Sequence, residues 1–106
     1  KMFSEIIRAK GMCEIMGYRN CRFECAHIFS RRYICIRWDE RNALCLSSAA
    51  HRRGHDQPIW FTRMAKDIKG VEAIGELEVM INNLKALPIQ FFIEENIRLK
   101  ELIKKI

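Results

Sequence analysis

ECAHIFSRRYICIRWDERNALCLSSAAHRRGH, Glu24 to His55, is the stretch that decides how this chain reads. It holds all three histidines, His27, His51 and His55, and interleaves them with arginines. Its local texture is two short strands, a turn-rich connection and a helix. A strand runs over about Phe23–Ile28, and Ile34 to Trp38, β-branched and aromatic, reads as extended. Asp39-Glu40-Arg41-Asn42 is turn chemistry, and Ala43-Leu44-Cys45-Leu46 is a short apolar strand. Ser47 and Ser48 are N-cap residues for a helix carrying Ala49, Ala50 and His51. His51 and His55 stand four apart and share a face, provided the helix continues through Gly54.

Outside this stretch the chain is mostly helical. Phe3, Ile6, Ile7 and Lys10 form one stripe over residues 2–10, ended by Gly11, and 12–25 is a knuckle or loop without helical period. Asp56 or Gln57 caps a helix opened by Pro58, with Phe61, Met64 and Ile68 on one face until Lys69-Gly70. Ile74, Leu77, Ile81 and Leu84 follow a 3-4-3 spacing stopped by Pro88, and Phe92, Asn96, Leu99, Ile103 and Ile106 repeat it. Two such stripes predict an antiparallel helical hairpin whose apolar faces are core, with an exposed seam as a homodimer contact.

At 106 residues the chain has the size of one domain. No apolar run reaches the ~20 residues that span a bilayer, so no membrane partner is expected. The chain carries no secretory-signal pattern, and its start at Lys1 implies a trimmed upstream segment. Residues 1–55 hold 11 Lys/Arg against 5 Asp/Glu, whereas 56–106 hold 8 against 8, so the whole net charge of +6 lies in the half with the histidines. Such clustering favours a polyanionic partner, because phosphate contacts release counterions; the other reading is a solvated basic surface. Five cysteines, Cys13, Cys21, Cys25, Cys35 and Cys45, are an odd number, which argues for a reducing compartment and against a disulfide framework.

Phosphodiester cleavage needs a base, a cation to hold the phosphate, and a group that orients the base. His27 on a strand suits the first role, since imidazole titrates near neutrality. Asn42 can orient that ring by offering its side-chain carbonyl to a ring N–H, and His51 is a natural metal ligand. Arg31, Arg32 and Arg37 lie where a hairpin loop would face nucleic acid, and Arg52 and Arg53 flank His51. The planar guanidinium pairs two phosphate oxygens at once. Trp38 reads as a core plug under the hairpin rather than a stacking platform. Catalysis by Cys25 or Cys45 has no separate sequence signal.

In this order, ECAHI, Asn42 and His51 resemble the HNH (His-Me finger) endonucleases. AHIFSRRYICIRWDERN also resembles phage recombination proteins of the NinG type and related small phage HNH proteins, and HRRGHDQPIWFTRMAKDIKG is similar to the segment that follows in the latter. The likeness covers about Cys13 to Gly70. It implies an α+β fold, with a ββα-metal finger over 11–57 and helical support over 58–106. It implies His27 as general base, Asn42 as its orienting partner and His51 as ligand of one divalent metal, Mg²⁺ or Mn²⁺. The activity implied is hydrolysis of DNA in phage or prophage recombination or DNA processing, in the cytoplasm of a bacterial host.

The chain departs from the family at two places. Many members place Asp or His directly before the base as a second metal ligand, where this chain has Ala26; His55 is the candidate replacement. Relatives often carry a zinc knuckle of two CxxC pairs, but the corresponding positions here are Cys13, Met16, Ser47 and Ala50. Those four cannot make a tetrahedral zinc site, so structural zinc is not expected. Cys13, Cys21, Cys25 and Cys45 could form a different site, or act as small hydrophobes. Two rival functions follow: a degenerate HNH fold that only binds nucleic acid, and a helical interaction module.

Overall fold

Strands β1 (Phe23–His27) and β2 (Ala43–Ser47) pair antiparallel, with Cys25 opposite Cys45 and His27 opposite Ala43. The computed structural model that shows this describes residues 2–83 and 89–106. Alternation along the strands gives the hairpin two apolar faces. Cys25, Ala43 and Cys45 turn towards Phe3 and Ile7 of α1 (Met2–Arg8) and Leu99 of α5 (Ile89–Ile103). Ala26, Leu44 and Leu46 turn towards Cys13, Ala50 of α2 (Ser48–Asp56) and Ala65 of α3 (Pro58–Lys69). Helices therefore cover both faces of a two-stranded sheet, and the chain is a small α+β protein with five α-helices among the described residues. None of the described helices is long and apolar enough to cross a membrane.

The outer edge of β2 is closed by the preceding knuckle. Glu14 N–H donates to Cys45 O at 2.8 Å, and Cys45 N–H donates back to Glu14 Oε1 at 2.9 Å. Cys13 Sγ accepts the Met16 N–H at 3.4 Å within the core, so the knuckle is folded around a buried thiol.

Of the two serines predicted as caps, Ser47 performs the role, accepting the Ala50 N–H at 3.2 Å. Helix α2 then runs through Gly54, which is glycine for a steric reason. A Cβ there would lie 2.7 Å from Cδ2 of Phe61, so α2 and α3 meet at a contact that admits only hydrogen. Gly70, at φ +93°, is the joint between α3 and α4 (Val71–Asn82).

Two expectations need correction. Ile34–Trp38 is not extended: Ile34–Ile36 and Glu40–Asn42 are 3₁₀ turns. The reason is tertiary, because Ile36 is fully buried against Ile74 and Leu77 of α4, and the loop must curl to deliver it. Among the described residues the C-terminal stripes also do not form one hairpin interface. Ile74 and Leu77 pack on that loop, whereas Leu99 packs on α1 and the sheet. Leu84 and Pro88 lie outside the described residues.

Helices α3, α4 and α5 all reach the 37–42 segment. Lys69 Nζ donates to Glu40 O at 3.1 Å, Arg41 pairs with Glu76 and with Asp39, and Arg98 pairs with Glu40 and donates to Trp38 O at 2.7 Å. Lys69 of α3, Glu76 of α4 and Arg98 of α5 thus each hold the connection between the strands.

Candidate functional site

An open cleft of about 690 Å³ runs along β1, and His27, His51, His55 and Arg31 line it with Ser4 of α1 and Phe61 of α3. Two elements deliver the histidines: β1 ends on His27, and one face of α2 carries His51 and His55, whose ring centroids are 5.0 Å apart. Comparison of the chain with protein-family models, with curated proteins and with solved structures gives no match. What the site can do is therefore argued from its own geometry.

His27 Nε2 lies 2.9 Å from the carbonyl of Arg37. A carbonyl can only accept, so the proton sits on Nε2 and Nδ1 is the basic nitrogen of the neutral ring. Burial holds this imidazole below its usual value of 6.5. The charges of Arg31, Arg37 and His51 act in the same direction, and the Arg37 carbonyl opposes them. The result is an imidazole that is unprotonated at neutral pH, which a general base must be.

His51 has the complementary arrangement. Its Nδ1–H donates to Glu24 Oε1 at 2.7 Å, and Ser48 Oγ donates to Glu24 Oε2 at the same distance. These bonds, Ser48 first and His51 second, hold the Glu24 carboxyl below its ordinary range, so it stays ionised. Nε2 of His51 is then the nitrogen left for a ligand. A carboxylate that fixes the ring's tautomer and orientation is the usual support behind a metal-binding histidine. His51 Nε2, with the His55 ring beside it, is the nitrogen this site offers a cation; among the described residues no group of three or more His, Cys, Asp and Glu side chains is placed to hold one. Ala26, directly before His27, is buried in the core.

Glu24 was not singled out from the sequence. Its position in ECAH becomes informative only once the pairing of β1 and the start of α2 place it beside His51 and Ser48. Glu24→Gln keeps the shape and removes the charge, and is expected to weaken Mn²⁺ binding by about 10–100-fold. Titration of free Mn²⁺ by electron paramagnetic resonance measures this directly. Unchanged affinity would reduce Glu24 to a partner of Ser48.

Asn42 is placed differently from the sequence expectation. Among the described residues no hydrogen bond joins it to the His27 ring. Fully buried, its Oδ1 accepts the Phe29 N–H at 2.7 Å, and its Nδ2 donates to Phe29 O at 3.2 Å and Ile36 O at 3.3 Å. The amide ties the two ends of the 29–36 loop together and so fixes the neighbouring Arg37 carbonyl that orients His27. Its hydrogen bonds thus act on the loop.

The arginines divide. Arg31 lines the cleft, and Arg31, Arg32 and Arg37 line an adjoining recess. Arg52 and Arg53 are not among the lining residues; Arg53 instead lies 4.0 Å over the Trp60 ring and donates to Gln57. Trp38 is half-buried against the α1 cluster, with one part lining the recess. Burial pushes the Cys25 thiol up to about 11 and raises that of Cys45, so neither supplies a thiolate nucleophile.

Proposed function

We propose that this chain is a divalent-metal-dependent endonuclease of the HNH type that hydrolyses phosphodiester bonds in DNA. The observation that carries the reading is the pair of imidazoles on one cleft with opposite fixed tautomers. Among the described residues, His27 has Nδ1 free, with Nε2 bonded to a carbonyl, and His51 has Nε2 free, with Nδ1 bonded to a carboxylate. One ring is prepared to take a proton and the other to hold a cation.

In this mechanism His27 Nδ1 removes a proton from water beside the phosphate. The Arg37 carbonyl stabilises the ring as it becomes cationic. Arg31, on the same cleft, pairs with a phosphate oxygen. The ion, when bound at His51, supplies positive charge against the phosphate. The basic half of the chain supplies sequence-independent affinity for the polyanion. The resemblance of AHIFSRRYICIRWDERN to phage recombination proteins supports a role in phage or prophage DNA processing.

Supercoiled plasmid should be nicked in Mg²⁺ or Mn²⁺ and left intact in EDTA, as read on an agarose gel. Protein that binds the plasmid but cuts it with no divalent ion sinks the proposal in favour of a binding-only module. That second reading draws on one observation. Among the described residues no group of three or more His, Cys, Asp and Glu side chains is placed to hold a metal, so any ion depends heavily on water and phosphate.

A further inference from the structure

On the other side of His27 lies a second recess, of about 500 Å³, with Arg31, Arg32, Arg37, Phe3 and Trp38 in its wall. His27, Ser4 and Arg31 belong to both cavities, so the two are continuous. Among the described residues no carboxylate lines either one. The arginines elsewhere in this part of the fold are neutralised: Arg41 by Asp39 and Glu76, Arg98 by Glu40 and Glu95. Arg31, Arg32 and Arg37 have no ion pair among the described residues. Three uncompensated guanidiniums around one recess form a site for a group with several anionic oxygens.

We propose that this recess is a separate phosphate subsite. It takes the phosphate of the nucleotide next to the one being cut, with that nucleotide's sugar or base against Trp38 and Phe3. The inference rests on the nucleic-acid reading above but not on cleavage. A strand with one phosphate at His27 leads past Arg31 directly into the recess, because the two cavities share that wall. Trp38 reports on occupancy, since the Arg37 guanidinium lies 5.2 Å from its ring centroid and moves when it takes a phosphate.

The test is made in EDTA, on binding alone. Fluorescence anisotropy of a labelled ten-nucleotide single strand is followed from low to high salt, with the full chain and with Arg32→Gln/Arg37→Gln. Arg32 is exposed and Arg37 half-buried, with no ion pair to lose, and circular dichroism checks that the variant is folded. The double variant is expected to bind about tenfold more weakly, the size of one charge-assisted contact. Its plot of log affinity against log salt should be shallower by about 0.7, one phosphate of a single strand. In a second measurement, Trp38 emission is read in a Trp60→Phe background during titration with the same strand and with inorganic phosphate. The strand should change it at far lower concentration than the ion. An unchanged affinity and salt slope in the double variant overturns the subsite. Equal half-saturation by strand and by phosphate overturns it too, leaving a site for a free anion only. A chain that never cuts DNA but shows the flattened slope loses the nuclease reading and keeps the subsite.

Discussion

His27→Ala is expected to lower metal-dependent plasmid nicking by on the order of 10²–10⁴-fold, the range over which a positioned base contributes. The ring is half-buried and, among the described residues, makes one hydrogen bond, to Arg37 O, so the variant should fold and still bind DNA. Equal cutting by the two proteins after clean purification removes the base assignment. The pH profile gives an independent check. Because burial and neighbouring cations hold the imidazole below 6.5, wild-type activity should rise with pH through a value below 6.5 and be level by neutrality. Stability carries the same sign. Between the folded value and the unfolded 6.5 the unfolded chain binds more protons, so this histidine's contribution is full above 6.5 and is lost as pH falls through the folded value. His27→Ala should remove both dependences, and an unaltered rise in activity with pH would assign it to another group.

Asn42→Ala should cost more in folding than any other substitution at the site, roughly 2–4 kcal/mol from the polar groups it strands in the interior. The amide has three backbone partners: Phe29 N–H, Phe29 O and Ile36 O. Set against a typical domain stability of about 5–15 kcal/mol, that is a large share. Thermal or urea unfolding measures it. Asn42→Asp separates hydrogen bonding from volume: it keeps the acceptor for Phe29 N–H but turns a carboxylate oxygen towards two carbonyls. This variant should be destabilised at neutral pH and regain stability in acid, where the protonated carboxyl can donate again. A melting temperature unmoved in both variants would mean that the loop is held by its apolar anchor alone.

The sequence made the residue types legible, but not all of their partners. The β-hairpin followed by a helix could be read because alternation and the Ser47 cap are local signals, and Pro58 and Gly70 mark ends by their backbone preferences. Which imidazoles share a cleft also follows from their places at the end of β1 and on one face of α2. The partners are non-local, and there the reading failed or stopped. Asn42 has the chemistry to bond an imidazole, yet burial at the loop's base gives it to Phe29 and Ile36. Glu24 carries no local mark of its role. The stripe through Ile74 and Leu77 says that one side of a helix is covered, but not that a curled loop, rather than the next helix, covers it. Ile34–Ile36 has strand-like composition, and the burial of Ile36 overrode it.

Three helices from the second half of the chain meet the short 37–42 segment, and Ile36 beside it belongs to the interior. A loop fastened in this way has little freedom to melt by itself. Gradual heating should therefore not produce a folded but inactive form. Loss of the His27 ring's orientation and collapse of the whole molecule would arrive at one temperature.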